Sequence, residues 1–132
     1  MGCIFCEQIK EHHILFETEH FKAVYDIDPI QHGHVIVMSK KHKMHVNELS
    51  QFELSEYIII QKKVIDVMEK TLPVDGVSVI LNNGGIIDVG THFHIHFIPR
   101  YQQDDFWTHQ KVEAKPIDLH TLKVNLKEGV QI

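Results

Sequence analysis

Three histidines alternate with bulky apolar residues in His92-Phe93-His94-Ile95-His96-Phe97, followed by Ile98-Pro99-Arg100. On an extended strand successive side chains point to opposite faces. The imidazoles therefore share one face, which predicts a site. Phe93, Ile95 and Phe97 share the other, which predicts core. Imidazole titrates near neutrality, ligates metals and, when neutral, is a nucleophile. Three readings of the run stand at this point. All three rings bind one catalytic ion. One ring attacks an electrophile while its neighbours donate to phosphoryl oxygens. Or the rings are hydrogen-bonded structural histidines. A second candidate is Cys3-Ile4-Phe5-Cys6, which holds both cysteines of the chain. The N-terminus has no basic n-region and no apolar h-region, so the expected location is the cytoplasm. There a Cys-x-x-Cys pair points to metal or redox use more than to a disulfide. Zinc needs two further ligands, which the pair alone does not name.

The elements that must carry these residues are legible in outline. Residues 14–18 and 21–26 predict two strands joined by a tight polar turn. His34-Val35-Ile36-Val37-Met38 predicts a third, apolar almost throughout as buried central strands are. Ser50-Gln51-Phe52-Glu53 is a capping box. It predicts a helix over 51–71, with Leu54, Tyr57, Ile58, Val64, Ile65, Met68 and Leu72 as its apolar stripe. Pro73 stops it, since the residue before a proline is pushed out of the α region. Gly76–Leu81 predicts a fourth strand. A loop with Asn82-Asn83-Gly84-Gly85 and Gly90 then leads into the histidine strand. Asp118 predicts the cap of a short helix carrying Leu119, Leu122 and Leu126 and stopped by Gly129. Phe106 and Trp107 are expected to pack against the sheet. Strands outnumber helices and no βαβ alternation occurs, so the expected class is α+β, an antiparallel sheet with helices on one face.

Composition narrows the function classes. The 132 residues carry a formal net charge of −5, with 43% hydrophobic residues and 12 histidines. One domain over residues 1–132 is expected at that length, with 101–132 a tail of unassigned structure. The charge argues against a nucleic-acid scaffold, whose footprint is a basic patch. No segment approaches the roughly 20 apolar residues that span a bilayer, so no membrane partner is expected.

The run His-φ-His-φ-His-φ-φ, with φ apolar, resembles the signature of the histidine triad (HIT) superfamily of nucleotide hydrolases and transferases. The likeness extends to Cys3-Ile4-Phe5-Cys6, Tyr25-Asp26-Ile27-Asp28-Pro29, Gly33-His34-Val35-Ile36-Val37, Ser39-Lys40-Lys41-His42, Asn82-Asn83-Gly84 and Pro99-Arg100. These motifs run in order from about residue 3 to about residue 101.

The resemblance implies a five-stranded antiparallel sheet with two or so helices, continued across a homodimer. It implies a purine nucleotide substrate, a dinucleoside polyphosphate or nucleoside phosphoramidate, cleaved to a nucleoside monophosphate. By position, His94 is the expected nucleophile, His96 binds the phosphoryl oxygens, and His34 orients the triad. Asp26 is expected on the ribose, with Tyr25 and Ile27 beside the base. Asn82 and Gly90 are expected near the phosphate. The resemblance also completes a structural zinc set of Cys3, Cys6, His42 and His92. His96 rather than glutamine at the third position favours hydrolysis over transfer. Two features depart from the pattern. Asp88 stands where many members carry glutamine, and the loop before His92 is one residue short. A catalytically weak nucleotide- and zinc-binding module is the alternative those departures suggest.

Overall fold

The computed structural model describes residues 2–132. A short helix, α1 (Ile4–Glu7), precedes three strands, β1 (Phe16–Glu17), β2 (Phe21–Tyr25) and β3 (Val35–Ser39). The long helix α2 (Gln51–Thr71) leads to β4 (Gly76–Leu81) and β5 (His94–Arg100), and α3 (Leu119–Gly129) follows. The strands form one antiparallel sheet in the order β1-β2-β3-β5-β4. The expected α+β class and five-stranded sheet are what the chain adopts. Among the described residues no helix is long and apolar enough to cross a membrane.

Strand alternation divides the core. On one face Phe21, Ala23, Val35, Val37, Phe93, Ile95 and Phe97 pack against Ile60, Val64 and Met68 of α2. On the other, Val24, Ile36 and Met38 pack against Phe5 of α1. The histidine run thus turns its apolar side to α2 and its imidazoles to the second face. α2 begins and ends where its boundary residues dictate. The Ser50 hydroxyl accepts from the Glu53 amide at 3.1 Å, and Glu53 Oε1 accepts from the Ser50 amide at 2.8 Å. Leu72, before Pro73, is extended. Its buried stripe differs in one place. Ile60 is buried, whereas the expected Ile58 is 50% exposed.

Other boundaries shift by small amounts. β1 is two residues, not five, and β3 starts one residue after His34. His92 lies before β5, yet its ring is buried on the site face. α1 was not expected. Four residues carry no readable period, and what holds them helical is the burial of Phe5 against the sheet.

Candidate active site and cysteine–histidine cluster

β5 lies between β3 and β4, pairing His94 with Met38, and His96 with Ile36 and Ile80. The imidazoles of His94 and His96 are therefore neighbours, 4.7 Å between centroids. His34 joins them from the residue just before β3, its Nε2 2.9 Å from His96 Nδ1.

Backbone groups fix which nitrogen of each ring carries the proton. The Ile30 amide donates to His34 Nδ1 at 3.1 Å, so the His34 proton sits on Nε2. That N–H donates to His96 Nδ1, which puts the His96 proton on its own Nε2. His94 Nδ1 lies 2.7 Å from the His92 carbonyl and must donate to it. Its Nε2 is left with a free lone pair. Among the described residues only Glu53 Oε2 and Gln61 Oε1 are buried polar side-chain atoms without a partner. Among the described residues the Nε2 atoms of His94 and His96 have no protein partner, and neither is one of these two buried atoms, so both reach solvent. A lone pair and an N–H donor thus stand side by side on neighbouring rings.

Electrostatics favour the neutral form of His96 and of His34. Burial first, then the charges of His94 and His34, push the His96 pKa down to about 4, against opposing pulls from Asp26 and Asp88. Burial lowers His34 too, and Asp26 works against it. Asp26 Oδ2 lies 3.4 Å from His34 Nε2 and 3.8 Å from His96 Nδ1. Asp26 Oδ1 accepts from the Asp28 amide at 2.9 Å. The one carboxylate caps its turn and faces the histidines.

The remaining expected site residues fall in two groups. Asn82 follows Leu81, the partner of Ile95, and so lies opposite His94. Gly90 has φ +84°, a left-handed value that favours glycine, and its carbonyl accepts from the Ile4 amide at 2.7 Å. Asp88 is exposed in the same loop, and its charge acts on His96. Ile27 is 94% exposed at the rim. Tyr25 corrects the expectation. By strand alternation it points away from the histidines, into a groove beside α2.

The first histidine of the run faces a different neighbourhood. His92 Nε2 donates to the Ser39 carbonyl at 2.6 Å, leaving the Nδ1 lone pair 3.1 Å from Cys3 Sγ and 3.5 Å from Cys6 Sγ. His42 Nδ1 lies 3.5 Å from Cys6 Sγ. The four ligand atoms all lie within 4.8 Å of one another. A tetrahedral zinc bonds sulfur at about 2.3 Å and nitrogen at about 2.0–2.1 Å, so its ligand atoms sit roughly 3.3–3.8 Å apart. The donor set and spacing fit such an ion. The carbonyl behind His92 is the kind of partner that orients a ligating imidazole. Among the described residues His94 belongs to no cluster of ligand atoms. The three rings therefore do not converge on one ion.

Sequence reasoning missed several participants. Phe5 packs edge-on against both His92 and His94, at 5.3 and 5.0 Å. The acceptors Ser39 O and His92 O are main-chain atoms, which no residue type announces. His20, expected to be solvated, is 2.8 Å from Glu56 and ties the β1–β2 turn to α2. Phe106 is buried as expected, but Trp107 is 72% exposed.

A family model described as HIT domain matches residues 7–103. An uncharacterised HIT-like protein of Methanocaldococcus jannaschii is 38% identical over 106 residues, 77% of this chain and 81% of that one. The adenosine 5'-monophosphoramidase HNT1 of Candida albicans is 33% identical, over 75% of this chain and 70% of its own. Among solved structures, a HIT-family protein of Bacillus subtilis superposes with a TM-score of 0.76 at 27% identity. It covers 100% of this chain and 99% of its own.

Proposed function

This chain belongs to the HIT family, and from that premise we propose that it is a nucleotidyl hydrolase with His94 as its nucleophile. The observation that carries the proposal is the tautomer pair: a free Nε2 lone pair on His94 beside an N–H donor on His96. The His94 Nε2 lone pair attacks the α-phosphorus of a nucleotide. A P–N bond forms, the bond to the leaving group breaks, and the leaving group departs with its electron pair and takes up a proton. Water then attacks the same phosphorus, and the P–N bond breaks to release a nucleoside monophosphate. One hard displacement becomes two easier ones. His96 Nε2–H binds a phosphoryl oxygen as charge builds there. His34 holds His96 in the donor tautomer. Asp26 takes the ribose hydroxyls, Ile27 flanks a purine, and Asn82 with the Gly90 loop lines the phosphate. Relatives named as adenosine 5'-monophosphoramidases favour nucleoside phosphoramidates over dinucleoside polyphosphates as the substrate class.

Cys3, Cys6, His42 and His92 would hold a structural zinc ion. Four protein ligands leave no open position, so the ion would supply stability and not an activated water. The β4 edge has β5 on one side and no strand on the other. A second copy pairing there would continue the sheet across a homodimer.

The test is AMP release from adenosine 5'-phosphoramidate and from a dinucleoside polyphosphate. His94→Ala should lower kcat/KM by at least about 1,000-fold. Equal rates for variant and wild type would overturn the assignment. AMP binding without turnover of either substrate would leave a binding module instead.

A further inference from the structure

The cysteine–histidine cluster and the catalytic strand share His92. Its ring turns Nδ1 to Cys3 Sγ at 3.1 Å and to Cys6 Sγ at 3.5 Å. Its carbonyl accepts from His94 Nδ1 at 2.7 Å, the bond that leaves the His94 Nε2 lone pair free. A second link runs through Phe5, which stands between the two cysteines in the sequence. Its buried ring packs edge-on against both His92 and His94. The turn that carries the sulfurs therefore also walls the nucleophile. That turn depends on its ties. α1 has 4 residues, too few to persist as an isolated helix. It is held by the burial of Phe5, by the Ile4 amide on the Gly90 carbonyl, and by the grouping of its sulfurs with His42 and His92.

The same sulfurs are placed to join each other. Cys3 is the N-cap of α1 and Cys6 lies on its single turn, with the Cys6 amide donating to the Cys3 carbonyl at 3.1 Å. The sulfurs lie within 4.8 Å of one another. Both cysteines are free, Cys6 exposed and Cys3 half-buried. Cys-x-x-Cys is the spacing of redox-active dithiols, and an accessible thiolate beside a second cysteine is the arrangement that peroxides oxidise reversibly. A cysteine that ligates a metal is already a thiolate. We propose that Cys3 and Cys6 are an oxidative modification site: a hydroperoxide closes them into a disulfide, and losing both sulfur donors loosens α1 and His92 and so disables His94. With hydrogen peroxide, the exposed Cys6 thiolate attacks one oxygen, the O–O bond breaks, and a sulfenic acid and hydroxide form. The Cys3 thiolate then attacks the Cys6 sulfur, the S–S bond forms, and a second hydroxide leaves. Two electrons pass from sulfur to peroxide, and the buffer supplies a proton to each hydroxide. Two imidazoles remain in the cluster, half the ligand set of a structural zinc site. A thiol reductant reverses the step by exchange. This inference rests on the structural-zinc and hydrolase readings above.

The test treats reduced, zinc-loaded wild type with hydrogen peroxide. Four readouts are followed: thiols open to alkylation, zinc released to a coloured chelator, AMP release from adenosine 5'-phosphoramidate, and the ring 15N resonances of His94. Both thiols should close in step with zinc release. The kcat/KM should fall at least about tenfold, and the His94 resonances should shift. A dithiol reductant with added zinc should restore all four, which shows that the chain stayed intact. Cys3→Ser with Cys6→Ser should have the oxidised rate and ignore peroxide, which sets aside methionine oxidation. Thiols that stay open in a large excess of peroxide overturn the proposal. So does a disulfide that leaves both the rate and the His94 resonances unchanged, and so does a loss that reductant and zinc do not reverse. Reduced protein that holds no zinc overturns the metal reading and this one together. Reduced protein that holds zinc but releases no AMP overturns the hydrolase reading alone, and the His94 resonances then decide this one.

Discussion

In the proposed reaction a carbonyl two residues behind His94 leaves its Nε2 lone pair free, and His34 sets His96 as a donor. The amide of Ile30 stands at the start of that second chain, since it denies His34 Nδ1 a proton. Removing His34 frees the His96 ring to turn and to change tautomer. His34→Ala should therefore lower kcat roughly 10- to 100-fold, the cost of a misplaced catalytic group, with little change in KM. Steady-state kinetics on a phosphoramidate checks this, and an unchanged kcat would contradict the positioning role. The histidines themselves were readable in the sequence because alternation gives them one face. Their protonation was not, because Ile30 N, His92 O and Ser39 O are main-chain groups placed by tertiary structure. Tyr25 shows the same limit in reverse. Its neighbour Asp26 faces the histidines, and period two sends Tyr25 to the other side of the sheet.

At the scale of elements, the strongest local signals were the most faithful. The capping box and Pro73 bound α2 at both ends, because both act through backbone geometry within a few residues. α1 was invisible, since its helical turn depends on Phe5 finding the sheet and on the Ile4–Gly90 bond. The cysteine–histidine cluster is the other tie on this element. It joins α1 (Cys6) and its cap (Cys3) to the segment after β3 (His42) and to the start of the β5 run (His92). If zinc fills it, chelation should lower the melting temperature by at least about 5 °C, because the ion binds the folded chain and not the unfolded one. Cys3→Ser with Cys6→Ser should melt at the chelated value and ignore the chelator. Purified protein without zinc by elemental analysis would contradict the site.

Across the whole molecule, the sheet separates two tasks. One face buries the apolar residues against α2, and the other carries buried neutral imidazoles. That division has a cost in acid. Burial holds His96 at about 4 against an ordinary 6.5, and it lowers His34 and His92 as well. The unfolded chain therefore takes up these protons first, and stability falls as pH drops from about 6.5 toward 4. Glu53 adds a second loss. Burial alone would raise it, but its bonds to Lys43 and Ser50 prevail and hold it at about 2, below its ordinary 4.5. Its contribution disappears as pH falls below 4.5. Urea midpoints should thus decline steadily from pH 7 to pH 4, and His96→Asn should flatten the first part of the decline. A constant midpoint down to pH 4.5 would contradict the neutral, buried histidines. The tail marks where sequence reading stopped at this scale. Asp118 and Gly129 bound α3 as expected, but leucines without a partner in their own chain give no sign of where they belong.

The most direct test of the central claim is to look for the covalent intermediate. Wild-type protein mixed with adenosine 5'-phosphoramidate and quenched with alkali within milliseconds should yield a peptide bearing adenylate on His94. The adduct should be missing from His94→Asn. Rapid AMP release with no adduct at His94, or with the adduct on His96, would contradict the account.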